Sequence, residues 1–321
     1  MSRLDRARFD RERFVSDGRP RWERLDAVVS SSALRGGADW SELASLYRSA
    51  CTDLSRARDE DLGPDVLGYL DDLTARAHDR LYGARPVLRG DLARALGQDI
   101  PRQVRASWRY VLTAAALFYL PAILCLILSF QSEDLAAEVL DRATLKSMEE
   151  MYSGPVERTA GQNAMMAGFY VFNNVGIAFR CFATGALGGM GSVYFLVMNG
   201  VSIGTVFGHL LGSGQGANLL EFTSGHSAWE LTGIVLAGAA GLRMGWALVR
   251  TNGLTRLASL RAAGPELFLL VMGAMVMLFV AAAIEGFWSA SPIPREAKAV
   301  FAVVQLAIVT GWLGFGGRGR A

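Results

Sequence analysis

Residues 110–130 read YVLTAAALFYLPAILCLILSF, twenty-one consecutive positions without a charged side chain. An α-helix rises 1.5 Å per residue, so this run reaches about 30 Å, the thickness of a bilayer's hydrocarbon core. The stretch therefore predicts a transmembrane helix, with Pro121 as its kink.

Working outward, Arg102, Arg105 and Arg109 precede the run, and the acidic segment QSEDLAAEVLDRATLKSMEEMYSG follows it at 131–154. Five further apolar runs come after, at about 164–182, 185–211, 228–249, 267–287 and 297–315. Basic residues concentrate on the cytoplasmic side of membrane proteins. Six spans put Arg109, Arg180, the loop with Arg250, Arg256 and Arg261, and the tail with Arg318 on one side, and the acidic segment on the other. The fold expected is all-α and polytopic: a cytoplasmic helical domain at 1–107, then a transmembrane domain at 108–321 with about six helices. Both termini would be cytoplasmic, in the cytoplasmic (inner) membrane of a prokaryote. The turn at 183–185 is short enough to admit either a loop or a re-entrant segment.

Composition agrees. The chain is 51% hydrophobic and 19% charged, and most charges fall in the first hundred or so residues. A net charge of +2 offers no basic stripe for nucleic acid. Lys146 and Lys298 are the only lysines, and neither stands in a phosphate-binding G-x-x-x-x-G-K-[ST] loop. Cys51, Cys125 and Cys181 lack metal or disulfide spacing, so no cofactor or metal is expected of them. The opening MSRLDRARFDRERF has no apolar core, and no cleaved signal peptide is expected.

The head reads as helices. In 39–58, DWSELASLYRSACTDLSRAR, Trp40, Leu43, Leu46/Tyr47, Ala50, Leu54 and Ala57 line one face, with Asp39 and Glu42 spaced as a capping box. In 63–83, Val66, Leu70, Leu73/Ala77 and Leu81 repeat the pattern behind Pro64, which suits a first helical turn. His78 borders that face as a structural or solvated histidine. Trp22, Leu25 and Val28/Val29 suggest a helix before these two.

Within the spans, Gly200, Gly204, Gly208 and Gly212 recur every four residues, as do Ala237, Gly241 and Gly245. Small residues at this interval let helices approach closely in lipid. Asn173, Asn174, Asn199, Gln305, Glu230, Glu285 and Arg243 are the polar intramembrane residues. A charge at a span's centre costs at least about 2.5–3.5 kcal/mol, so such groups face protein or water. The topology sets His209, His226, Glu230 and Glu285 at similar depth near the outer face. Arg243 lies about 20 Å along the helix from Glu230 and cannot pair with it.

His226 and Glu230 sit one turn apart in FTSGHSAWELTG, 222–233. Two readings stand. Ser227 and Glu230 match the [ST]-x-x-E box that caps a helix start. Alternatively, His226, Glu230, Glu285 and His209 form a proton- or cation-binding cluster. Enzymatic readings are weaker: GHSAW lacks the final Gly of a nucleophile elbow, and no H-E-x-x-H is present.

Three stretches together resemble the stage II sporulation protein M family of prokaryotic membrane proteins: NNVGIAFRCFATGALGGMGSVYFLVMNGVSIG (173–204), GHSAWELTGIVLAGAAGLRMG (225–245) and AAIEGFWSASPIPREAKA (282–299). They are similar to the family's Asn-containing span and Gly-rich span, its His-x-x-x-Glu entrance, and its Ile-Glu and Pro-containing turn. Gly225 stands where a proline is common. LASLYRSACTDLSRAR and YLDDLTARAHDRLYG in the head fit as well. The resemblance implies a non-enzymatic membrane subunit or scaffold of an envelope complex. In spore formers a member joins a peptidoglycan-degrading partner in engulfment. Members with a long helical head resemble those outside spore formers, whose genes neighbour a MoxR-type ATPase, a von Willebrand A-domain protein and an RDD-type membrane protein. Homo-oligomer formation stays open, and so does the alternative of a permease-like transport subunit using the His/Glu cluster.

Overall fold

The computed structural model describes residues 10–31, 37–82, 89–154 and 160–319, and among them every regular element is helical. The chain divides into two compact units, Met1–Val87 and Leu88–Ala321.

The first unit packs α1 (Arg11–Ser30), α2 (Gly37–Asp59) and α3 (Pro64–Tyr82) about one core. Trp22, Leu25, Leu43, Ala50, Leu54, Ala57, Leu70 and Leu73 are all buried there, the faces that periodicity assigns. Pro64 opens α3 as expected. Asp10 caps α1 by accepting from the Arg13 backbone N–H at 3.1 Å. The expected capping box at Asp39 is not the helix start, because α2 begins two residues earlier, at Gly37. His78 accepts or donates at 3.1 Å to the Tyr47 hydroxyl and stacks beside Tyr82. Ion pairs tie the helices to one another from outside the core, with Arg76 to Asp26 at 2.7 Å and Arg24 to Glu42 at 2.8 Å.

The second unit starts with α4 (Arg89–Arg94), a π-helical turn at Ala95–Asp99, and α5 (Ile100–Ala106). These residues, expected in the head, pack instead with the apolar helices. Six long helices follow: α6 (Trp108–Gln131), α9 (Ala160–Ala183), α10 (Met190–Gly212), α11 (Gly216–Val249), α12 (Arg256–Ala283) and α13 (Arg295–Phe315). Short α7 (Glu133–Val139) and α8 (Arg142–Met151) occupy the acidic segment, capped by Ser132 and Asp141. Among the described residues, five helices are long and apolar enough to cross a membrane, α12 being counted with its continuation to Ser289. The remaining long helix, α9, has the length but carries Asn173 and Asn174 in its middle.

Direction alternates through the bundle as the spans require. α6 and α10 run parallel: a methyl group on Gly200, Gly204 or Gly208 would collide with the backbone carbonyl of Phe118, Ala122 or Leu126 in turn. α10 and α11 run antiparallel, with Gly238 against Leu196 and Gly241 against Ser192. Gly245 meets the backbone of Gly189, where φ of +91° favours glycine in the tight turn between α9 and α10. That turn is a closed hairpin, since Ser192 Oγ donates to the Cys181 carbonyl at 2.6 Å. The start of α6 and the end of α13 lie at one end of the bundle: Arg105 donates to the carbonyls of Leu313 and Gly316, both at 2.7 Å.

Candidate functional site

α11 is 34 residues long and begins at Gly216, eleven residues before Ser227. Leu219, Phe222, His226 and Trp229 are buried along its first turns, so packing continues the helix through the stretch that reads locally as a start. The Ser and Thr hydroxyls are absorbed by the helix itself. Thr223 donates to the Leu219 carbonyl at 2.8 Å and Ser227 to the Thr223 carbonyl at 2.7 Å. This corrects the capping reading: Ser227 and Glu230 lie mid-helix, where no free N–H groups await a cap.

Glu285 comes from the neighbouring helix. α12 stops being α-helical at Ala283 and continues as a π-helix over Ile284–Ser289, which buries both Glu285 and Ser289. Such widened turns are rare and recur at functional sites. Among the described residues, His226, Glu230 and Glu285 bring one ligand atom each within 4.8 Å of one another. His226 Nε2 stands 3.6 Å from Glu230 Oε2, and His226 Nδ1 is 3.0 Å from Ser289 Oγ.

His209, the fourth residue expected in this cluster, is not part of it. Its Nε2 lies 2.8 Å from Glu149 Oε1, so it joins α10 to α8 instead. Asn173 donates to Asn174 at 3.0 Å, and Asn199 donates to the Phe195 carbonyl of its own helix at 2.6 Å. Gln305 accepts from the Trp229 indole at 2.7 Å. Arg243 pairs across to Glu266 on α12 at 2.9 Å and sits over the Tyr110 ring. The glycines Gly200, Gly204, Gly208 and Gly212 all face α6, whereas Gly241 and Gly245 face the α9–α10 hairpin.

Several residues in and around the site carry no sequence expectation. Ser289 orients His226. Lys298 donates to the Ser289 carbonyl at 2.9 Å and to Glu221 at 3.0 Å, and Arg295 reaches Glu221 at 2.6 Å. One signal was available. Lys298 is one of only two lysines and lies in the first turn of an apolar run, where an ammonium needs an anionic partner.

Chemically, an imidazole clustered with two carboxylates can hold a proton or a divalent cation. The Ser289–His226 pair is buried and so is not open to a bulky substrate.

The stage II sporulation protein M family matches residues 114–290, and a domain of unknown function, DUF8413, matches residues 12–83. Among curated proteins and solved structures, none matches the chain. The first match covers the bundle from α6 through the π-helical end of α12, including His226, Glu230, Glu285 and both glycine rows, and spans more than half of the sequence. The chain belongs to the stage II sporulation protein M family.

Proposed function

We propose that this protein is a non-enzymatic subunit of a cell-envelope complex. It sits in the cytoplasmic membrane of a prokaryote with both termini inside, and its N-terminal helical unit is the docking surface. The observation that carries this reading is the two-part build. A helical unit with its own closed core precedes a family-specific membrane bundle whose glycines are engaged in close helix–helix contact. The even number of passes is supported by Arg105, which ties the start of α6 to the end of α13, and in this reading α9 is the sixth crossing. The partners are other envelope proteins: an ATPase of the MoxR type, a von Willebrand A-domain protein and an RDD-type membrane protein are the ones to seek.

Purification from the native membrane in mild detergent, followed by mass spectrometry of what co-purifies, tests the reading. A reproducible membrane or ATPase partner, lost when residues 1–87 are removed, is expected. A chain that purifies alone and carries solute or ions across liposomes by itself would replace this reading with the permease-like one.

A further inference from the structure

The polar groups within the bundle's helices divide by what they touch. Asn173, Asn199, Arg243, Gln305 and His209 each meet a protein group at hydrogen-bond distance. In the cluster joining α11 to the end of α12, one approach falls short of a bond. His226 Nε2 and Glu230 Oε2 approach to 3.6 Å, beyond a good hydrogen bond. Two ligands of one tetrahedral zinc ion, with bonds of about 2.0–2.1 Å, stand about 3.4 Å apart. The pair is thus spaced as two ligands of one ion.

Three further observations agree. Glu285 adds a third donor within 4.8 Å, from a different helix. Side-chain rotation of its carboxylate can supply the closure of about 1.4 Å that a tetrahedral site requires. The other ring nitrogen of His226 is held by Ser289 at 3.0 Å. Metal-binding histidines almost always donate their other ring N–H to an outer partner, a role the Ser289 oxygen can take by accepting from Nδ1. Finally, two carboxylates and a neutral imidazole cancel the charge of a divalent ion, the arrangement that a low-dielectric bundle favours. The nearby cation, Lys298, is engaged with Glu221 and the Ser289 carbonyl.

We propose that His226, Glu230 and Glu285 bind one divalent transition-metal ion, zinc by the mixture of nitrogen and oxygen donors, and that Ser289 positions His226 for it. The ion clamps α11 to the π-helical end of α12. Three protein ligands leave one position of a tetrahedral ion for water.

The test uses the full chain, purified in mild detergent with a tag free of histidine, stripped with a chelator and titrated with zinc by calorimetry. About one zinc per chain is expected, with a rise in melting temperature on binding. Glu285→Gln and His226→Gln should each weaken binding at least tenfold and abolish the rise. Ser289→Ala keeps all three ligands, and its affinity should fall by about tenfold or more. Size-exclusion profiles and zinc-free melting establish that each variant is folded. A wild-type chain that takes up no zinc overturns the proposal, and so do folded Glu285→Gln and His226→Gln variants that bind as tightly as wild type. Should both ligand variants fail to fold, the wild-type stoichiometry and the Ser289→Ala affinity decide: one zinc with weakened Ser289→Ala supports the site, and unchanged affinity overturns it.

Discussion

His226 Nδ1 lies 3.0 Å from Ser289 Oγ, a bond between the fourth long helix of the bundle and the π-helical end of the fifth. It fixes the ring so that Nε2 faces Glu230, and it places Glu285 in the same cluster. Two carboxylates from different helices join His226 in one cluster, Glu285 buried and Glu230 half-buried. Because Glu230 has no capping task, Gln is not expected to replace it freely. Glu230→Gln and Glu285→Gln should both lose function at unchanged membrane abundance, with Glu285→Gln the more damaging. Complementation of a deletion strain, with abundance measured by immunoblot, checks this. Full complementation by Glu285→Gln at wild-type level would remove the functional role from that carboxylate.

The glycine row of α10 allows a sharper test of packing. A Cβ on Gly204 would strike the Ala122 carbonyl, and backbone cannot swing aside as a side chain can. Gly204→Ala should therefore cost about 1–3 kcal/mol, the usual range for overpacking. Gly168, with open space around its Cα, is the control: Ala there should be neutral or stabilising by up to about 1 kcal/mol, from helix propensity. Melting of the two variants in one detergent compares them directly. Equal melting temperatures would contradict the close α6–α10 contact.

Arg243 and Glu266 meet at 2.9 Å across α11 and α12. Glu266 is half-exposed, so losing one partner of the pair costs about 0.5–1 kcal/mol. Glu266→Gln and Arg243→Gln should each destabilise, and the double variant should lose less than the sum of the two. A double-mutant cycle on melting gives the coupling. Strict additivity would show that the pair contributes nothing.

Topology is readable by labelling single cysteines in a Cys-free background with an impermeant thiol reagent. Glu138, in the acidic segment, and Glu296, at the start of α13, are exposed and should label on intact cells. Leu254, exposed in the turn between α11 and α12, should label only after permeabilisation. Ser259 is unsuitable for this purpose, because its hydroxyl is buried against the Ala247 carbonyl at 2.7 Å. Labelling of Leu254→Cys on intact cells would reverse the orientation.

The membrane character and the helical head were legible because both rest on patterns local to one helix. An uncharged run long enough to cross lipid has few alternatives, and the expected 110–130 span became a helix at 108–131. The face of Leu43, Ala50, Leu54 and Ala57 follows from a period of 3.6 residues alone. The glycine spacing likewise announces close contact without saying with what.

The start of α11 shows where local reading ends. Ser227 and Glu230 satisfy a capping pattern in isolation, but Leu219 and Phe222 are buried, and Asn218 donates to the Tyr152 carbonyl at 2.7 Å. Glu221 is held from α13 by Arg295 and Lys298. These contacts, made with residues 66 to 77 positions away in sequence, stabilise the turns before Ser227 by more than a local cap signal can oppose. The same reason separates His209 from His226. Depth in a membrane follows from counting residues along each helix, so one chain can predict that two histidines lie near one face. Which of them meets a carboxylate depends on how the helices rotate and neighbour one another. Side-chain packing across helices sets that rotation: it gives Glu149 to His209, Glu266 to Arg243, and Glu285 with Ser289 to His226.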